Sequence, residues 1–260
     1  MTASLLPTLH RKWTTARAIF RNCQNWAQVL SSRVLPHSYE GAVRLKTGVV
    51  IHPRRTLSRS WGEIFEPAIG DVYGLSALQA PDVIWDIGAN IGAFSCVAAH
   101  AFPAAAVMAY EPDPDAVAIL QKNVRANNLA NVTIIPSPVT KDARLVDFSV
   151  VGGGGSSNIF SMGQGSKKKI QSVTLNSQGL RAARRLFVKL DCEGAEGEII
   201  EWVCDREKEL PPNISIVAEY HSWCPITPQQ SLQRLQDAGF TASLTTRFDE
   251  LYLMATRNQT

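Results

Sequence analysis

The 260-residue sequence predicts an α/β protein with a seven-stranded, mostly parallel sheet, a terminal antiparallel hairpin and an N-terminal helical arm. Three observations predict it. From Val83 onward, short apolar runs alternate with helical patterns, the rhythm of strands joined by covering helices on both faces of a sheet. The first of these runs ends in a glycine-rich turn, DIGANIG, and leads into a helical run from about Ala93. The second, VMAYEP, ends in an acid, Glu111.

Taken in chain order, residues 1–39 form a basic arm. Arg11, Lys12, Arg17, Arg21 and Arg33 precede the first acid, Glu40, so the arm is strongly positive while the rest of the chain is slightly acidic. That balance argues against a nucleic-acid surface spread over the body. Leu9, Trp13, Ala16, Phe20, Cys23, Ala27, Leu30 and Val34 step by fours and threes, which predicts one amphipathic helical stripe. Such a helix can pack on the body or on a second copy, lie on an anionic membrane, or serve as an organelle transit segment. No apolar run is long enough to span a membrane and no secretory signal is evident, so a cytoplasmic protein is expected. The five cysteines are scattered with no C-x-x-C pair, which suggests reduced thiols and neither a zinc site nor a disulfide framework.

Residues 40–80 read as a lead-in: the alternating AVRLKTGVVIHP as a short strand pair, then WGEIFEPAIGDVYGLSAL as a broken helical stretch. The main domain, 81–260, carries strand candidates at Val83–Asp86, Val107–Tyr110, Val132–Ile135, Leu186–Leu190 and Ile214–Ala218. Thr241–Thr246 and Glu250–Ala255 close the domain as an antiparallel hairpin. Residues 145–175 interrupt the rhythm as an inserted hairpin whose tip, GGGGSSNIFSMGQGS, is either a long turn or a lid.

The turn after the first strand carries the chemistry. Glycine at a strand's carboxyl end lets a ligand touch the backbone, and the helix that follows offers unpaired N–H groups. Counting from Gly88, the second and third glycines of a dinucleotide fingerprint are replaced by Asn90 and Ala93, which disfavours a nicotinamide cofactor. A nucleoside-like ligand with a carboxylate and an ammonium suits the turn better. Glu111, at the tip of the second strand, stands where doubly wound folds place an acid on two ribose hydroxyls, and Pro112-Asp113-Pro114 ends that strand and starts the next helix.

DIGANIG, then YEPDP, then FVKLDCEGAE resembles the FkbM-type S-adenosylmethionine-dependent methyltransferases, over roughly residues 42–255. The third motif is the specific one; the first marks the wider class I group with its Rossmann-like fold. The resemblance implies S-adenosylmethionine as cofactor, with Asp86, Gly88, Ala89, Asn90 and Gly92 at its methionine portion. It further implies Glu111 and Pro112 at the ribose, and Asp113 with Pro138 and Val139 bordering the adenine. Asn176 and Pro138-Val139 depart from the residues usual in the family.

The fourth strand alternates Phe187, Lys189 and Asp191 on one side with Val188 and Leu190 on the other, so Lys189 calls for an acidic partner, Asp191 or a neighbour. Asp191, Glu193 and His221 are the catalytic candidates: they stand at the carboxyl edge of the sheet, where a donor and a hydroxyl must be aligned and a proton removed. Glu196 reads as a first-turn helix charge. The same three residues could instead ligate a divalent ion; no metal is assigned. The resulting expectation is an O-methyltransferase acting on a hydroxyl of a sugar or other small natural product, with no nucleic-acid partner. A nucleic-acid methyltransferase and a non-catalytic S-adenosylmethionine-binding protein are the alternatives.

Overall fold

The structure is a computed structural model that describes residues 5–35, 39–54, 56–58, 60–150, 166–178, 180–247 and 249–258. Helices α1 (Leu5–Asn22) and α2 (Trp26–Val34) lead to the strand pair β1 (Val43–Arg44) and β2 (Val50–Ile51) and the one-turn helix α3 (Trp61–Ile64). The α3 backbone continues into a widened π-type turn at Phe65–Ile69, which contains Pro67 and is followed by a short 3-10 turn at Leu75–Ala77. The alternating core follows as β3 (Val83–Ile87), α4 (Ala93–Ala101), β4 (Ala106–Tyr110), α5 (Pro114–Ala126) and β5 (Val132–Ile135). The inserted hairpin is β6 (Leu145–Val150) with β7 (Ser166–Gln171); its glycine-rich tip lies outside the described residues. The chain ends with β8 (Arg185–Leu190), α6 (Glu196–Asp205), β9 (Asn213–Glu219), α7 (Pro228–Asp237), β10 (Thr241–Arg247) and β11 (Glu250–Arg257).

Seven strands form one sheet in the order β10-β11-β9-β8-β3-β4-β5, and β11 is inserted antiparallel between β9 and β10. The neighbours from β9 through β5 are parallel. Strand alternation builds a core on each face. Trp85, Val188, Leu190 and Ile216 pack with Ile199 and Trp202 of α6 and Leu235 of α7, while Ile84, Phe187 and Val217 pack with Phe94 and Ala98 of α4. Reversal of the sheet order between β3 and β8 leaves a crevice at their carboxyl ends, the usual place for a ligand in an open α/β sheet.

The arm departs from the expected single stripe. Its helix breaks at Cys23–Asn25, where Cys23 bridges to Leu45 and the Asn25 side chain bonds Ala42 O and Arg44 N at 2.9 Å each. The break re-phases the apolar positions: Ile19, Cys23 and Val29 are buried against Val43, Leu45, Ile51 and Ile64, whereas Phe20 and Ala27 face outward. The lead-in is fastened in turn to α5. Asn127 accepts from Val50 N at 2.7 Å and donates to Val50 O at 2.7 Å, and Asn123 accepts from His52 N at 2.8 Å and donates to Ile91 O at 2.8 Å. One turn apart at the C-terminal end of α5, the two amides satisfy backbone groups of β2 and of His52 just after it, and fix the chain that enters the crevice two residues later, at Arg54. No helix among the described residues is long and apolar enough to cross a membrane. The five cysteines are free thiols.

Candidate active site

At the carboxyl end of β3 the chain makes a left-handed turn, with φ of +79° at Gly88, +48° at Asn90 and +80° at Gly92. Gly88 and Ala89 both donate to Tyr110 O, at 3.0 and 2.9 Å, which ties the turn to the end of β4. A Cβ on Gly88 would stand 1.7 Å from the Asp191 carbonyl oxygen, so only glycine lets this turn lie against the end of β8. Gly92 answers to packing: a Cβ there would meet Leu120 Cδ1 of α5 at 2.1 Å.

Glu111 is only 7% exposed, and its two carboxylate oxygens accept from Asn90 N at 2.7 Å and Asp113 N at 2.8 Å. Burial outweighs those bonds and pushes the acid from 4.5 up to about 7. Asp113 caps α5 by accepting from Asp115 N at 3.0 Å and takes Arg54 Nη1 at 2.8 Å. Arg54 also donates to Asn90 Oδ1 at 2.9 Å and lies 3.6 Å from Glu63, so one guanidinium ties the turn, the helix cap and the lead-in together.

Deeper in, Lys189 Nζ donates to Gly88 O at 2.6 Å and lies 3.1 Å from Asp86 and 3.7 Å from Asp191. Asp86, fully buried, also accepts from Ser95 Oγ at 2.5 Å. The acid that Lys189 calls for is thus chiefly Asp86, one strand over.

At the far end Tyr73 donates to Asp191 at 3.1 Å and reaches Glu219 at 3.4 Å, and Tyr252 donates to Glu219 at 2.8 Å. Burial, then the Asp191 charge, pushes Glu219 up to about 8. Glu196, fully buried in the first turn of α6, accepts from Cys192 N at 3.1 Å and Gly194 N at 2.9 Å and holds His221 Nδ1 at 2.9 Å. His221 Nε2 then faces Glu193 at 3.5 Å and Asp191 at 3.9 Å. Burial alone would lower the histidine, but the Glu196 bond and the three carboxylate charges outweigh it and push it up to about 9. That shift favours the imidazolium form at neutral pH, in which the ring offsets the carboxylates around it. Asp191, Glu219 and His221 each bring one donor atom within 4.8 Å of one another, so in the alternative metal set Glu219 takes the place of Glu193.

All of this faces one cavity of about 810 Å³. Gly88, Ala89, Asn90, Glu111, Pro112, Asp113, Pro138, Val139, Asp191, Glu193 and His221 line it. Asp86 and Gly92 do not: Asp86 lies behind Lys189, and Gly92 is taken up by helix packing. Arg54, Glu63, Tyr73, Phe148 and Glu219 line it as well, none of them among the residues picked out from the sequence as site candidates. Glu219 could have been found from its place beside His221 at the end of its strand, but no local pattern signals the others.

The sheet order, the glycine turn braced on β8 and the buried acid at the end of β4 define the class of the protein: an S-adenosylmethionine-dependent methyltransferase. Residues 86–241 match the family model of the methyltransferase FkbM domain, and the chain belongs to that family. AglP, a hexuronic acid methyltransferase of Haloferax volcanii, is 25% identical over 175 residues, covering 66% of this chain and 68% of the relative. Among solved structures, the methyltransferase FkbM from Methylobacillus flagellatus KT aligns with 94% of this chain and 59% of its own, at 14% identity and a TM-score of 0.49. A methyltransferase from Geobacter sulfurreducens aligns with 75% of this chain and 81% of its own, at 17% identity and a TM-score of 0.45.

Proposed function

We propose that the protein transfers a methyl group from S-adenosylmethionine to a hydroxyl of a sugar or another small natural product. The observation that carries this reading is the convergence of Gly88, Glu111 and Asp191 on one cavity large enough for a cofactor and a small acceptor together. The hexuronic acid methyltransferase among the relatives supports a sugar as the acceptor class.

The residues fit the cofactor. Gly88, Ala89 and Asn90 line the cavity on the turn that the missing Gly88 Cβ allows, and Glu111 keeps one lone pair on each oxygen for a ribose hydroxyl. Pro112, Pro138, Val139 and Phe148 supply apolar walls for a flat base. When bound, the cofactor supplies an electrophilic methyl on a sulfonium.

The chain's own part is alignment and proton removal. Asp191, partly exposed and oriented by the Tyr73 hydroxyl, accepts the proton of the acceptor hydroxyl. His221, held by Glu196, stays charged and steadies Asp191 and Glu193. Lys189 fixes the Gly88 carbonyl and with it the floor of the cavity. The test is transfer of labelled methyl to a panel of glycosides by wild-type protein and by Asp191→Asn. The variant is expected to lose turnover while it stays folded and still binds S-adenosylhomocysteine. Wild-type turnover in Asp191→Asn would remove the proposed base.

A further inference from the structure

After β9 has delivered Glu219 and His221 to the cavity, the chain folds back toward α7. Cys224 N donates to His221 O at 3.1 Å, closing a four-residue turn with Ser222 and Trp223 at its two corners. The loop is braced from beneath: the buried Tyr220 hydroxyl donates to Ile226 O at 2.9 Å and lies 2.7 Å from Ser231 Oγ. Trp223 is thereby carried at a fixed corner of the cavity wall.

Among the aromatic rings that line this cavity Trp223 stands apart. Tyr73, Phe94, Tyr110, Phe148 and Tyr220 are each at most 5% exposed, whereas Trp223 is 45% exposed. Its orientation is nevertheless set. The indole N–H donates to Glu193 O at 3.1 Å, and Glu193 itself is held in left-handed backbone at φ +58°. The His221 imidazole lies against one face, with ring centroids 4.8 Å apart and planes 35° apart. The exposed surface is therefore the other face and the outer edge. His221 Nε2 lies 3.9 Å from Asp191, so the width of one imidazole separates the indole from the proposed base. A clamp on the Glu193 carbonyl needs only the N–H and leaves the open face unused. A pyranose is polar around its rim and apolar across its faces, where axial C–H hydrogens carry the slight positive charge that the negative face of an aromatic ring attracts. An acyclic polyol brings the same hydroxyls and no such face.

We propose that Trp223 is the platform of the acceptor subsite: its open face stacks on the C–H face of a pyranoside and so turns a ring hydroxyl toward Asp191. The acceptor class is then a pyranoside with at least one face free of axial hydroxyls, taken ahead of acyclic polyols. The inference rests on the sugar-hydroxyl reading above and sharpens it. Trp223 determines which acceptors bind, and the transfer step stays with Asp191.

Methyl β-glucoside, methyl β-galactoside and the acyclic glucitol test it, each titrated into wild-type protein, Trp223→Ala and Trp223→Phe saturated with S-adenosylhomocysteine. The better-bound glycoside is expected to bind wild type at least about fivefold tighter than glucitol does, and Trp223→Ala to erase that gap. Trp223→Phe, which keeps a ring face and loses the N–H, is expected to retain most of it, and both variants should bind S-adenosylhomocysteine as wild type does. Glycoside affinity unchanged in Trp223→Ala, or glucitol bound by wild type as tightly as the glycosides, overturns the platform and leaves the sugar reading standing. Trp223→Phe as weak as Trp223→Ala assigns the effect to the clamp on Glu193 and overturns it as well. Loss of S-adenosylhomocysteine affinity in Trp223→Ala overturns the placement in the acceptor subsite. Failure of both glycosides to bind wild type removes the sugar reading, and this inference with it.

Discussion

Glutamine at position 111 isolates the electrostatics of the adenosyl grip. In the folded chain each Glu111 oxygen holds one backbone N–H, at 2.7 and 2.8 Å, and has one lone pair left for a ribose hydroxyl. Because burial lifts the acid to about 7, the carboxylate is only half ionised at neutral pH. A diol that donates to both oxygens prefers the ionised form, so affinity for S-adenosylhomocysteine is expected to rise about tenfold per pH unit from roughly pH 5.5 and to level off above about 7. On that plateau two hydrogen bonds to a charged group, each about 1 kcal/mol net, correspond to ten- to a hundredfold in affinity. Glutamine also turns an N–H toward one of the two backbone donors, which places Glu111→Gln at the weaker end of that range, with no pH dependence of its own. The native state gains a matching signature. An acid whose folded pKa is raised loses stability as pH climbs from 4.5 through about 7, and Glu111→Gln abolishes that slope. Calorimetric titration of both proteins across this pH range is the assay. A wild-type affinity that is flat with pH and equal to that of Glu111→Gln would refute the reasoning.

Three further variants can be checked by their unfolding. Gly88→Ala combines a φ of +79° with a Cβ only 1.7 Å from the Asp191 carbonyl oxygen, and is expected to lose roughly 3 kcal/mol or more in urea unfolding together with ligand affinity. Gly48→Ala, at φ +99° with nothing within 4 Å, is expected to lose only about 1 to 2 kcal/mol. His221, raised from 6.5 to about 9, adds stability that is fully present below 6.5 and fades as pH rises through about 9. Unfolding free energy should therefore fall across that window by up to roughly 3 kcal/mol, and His221→Gln should flatten it; an equal slope in both proteins would exclude the histidine as its source.

The sequence exposed those parts of the molecule whose cause is local. Parallel strands buried on both faces leave uninterrupted apolar runs, the inserted hairpin leaves an alternating pattern, and Asp113-Pro114 marks a helix start that the structure shows as an N-cap. The glycine turn and Glu111 were legible because left-handed backbone and an acid at a strand tip leave few options in sequence. What stayed hidden is long-range. Arg54 reaches Asn90 and Asp113 only because Asn123 and Asn127 fasten β2 beside α5, and Tyr73 meets Asp191 across 118 residues of chain. Asp86 and Gly92 of the turn motif have structural contacts that their spacing does not announce: one neutralises Lys189 and the other clears Leu120. The arm is helical, as expected, but its stripe is not continuous. A helical stripe read through Cys23 cannot anticipate a break held by hydrogen bonds from Asn25 to β1.

Titration of purified wild-type protein with S-adenosylmethionine and S-adenosylhomocysteine bears most directly on the whole account. Saturable one-to-one binding of both, weakened in Glu111→Gln, is the result expected from a cavity that grips an adenosyl group between the Gly88 turn and Glu111. Folded protein with no affinity for either compound would contradict it.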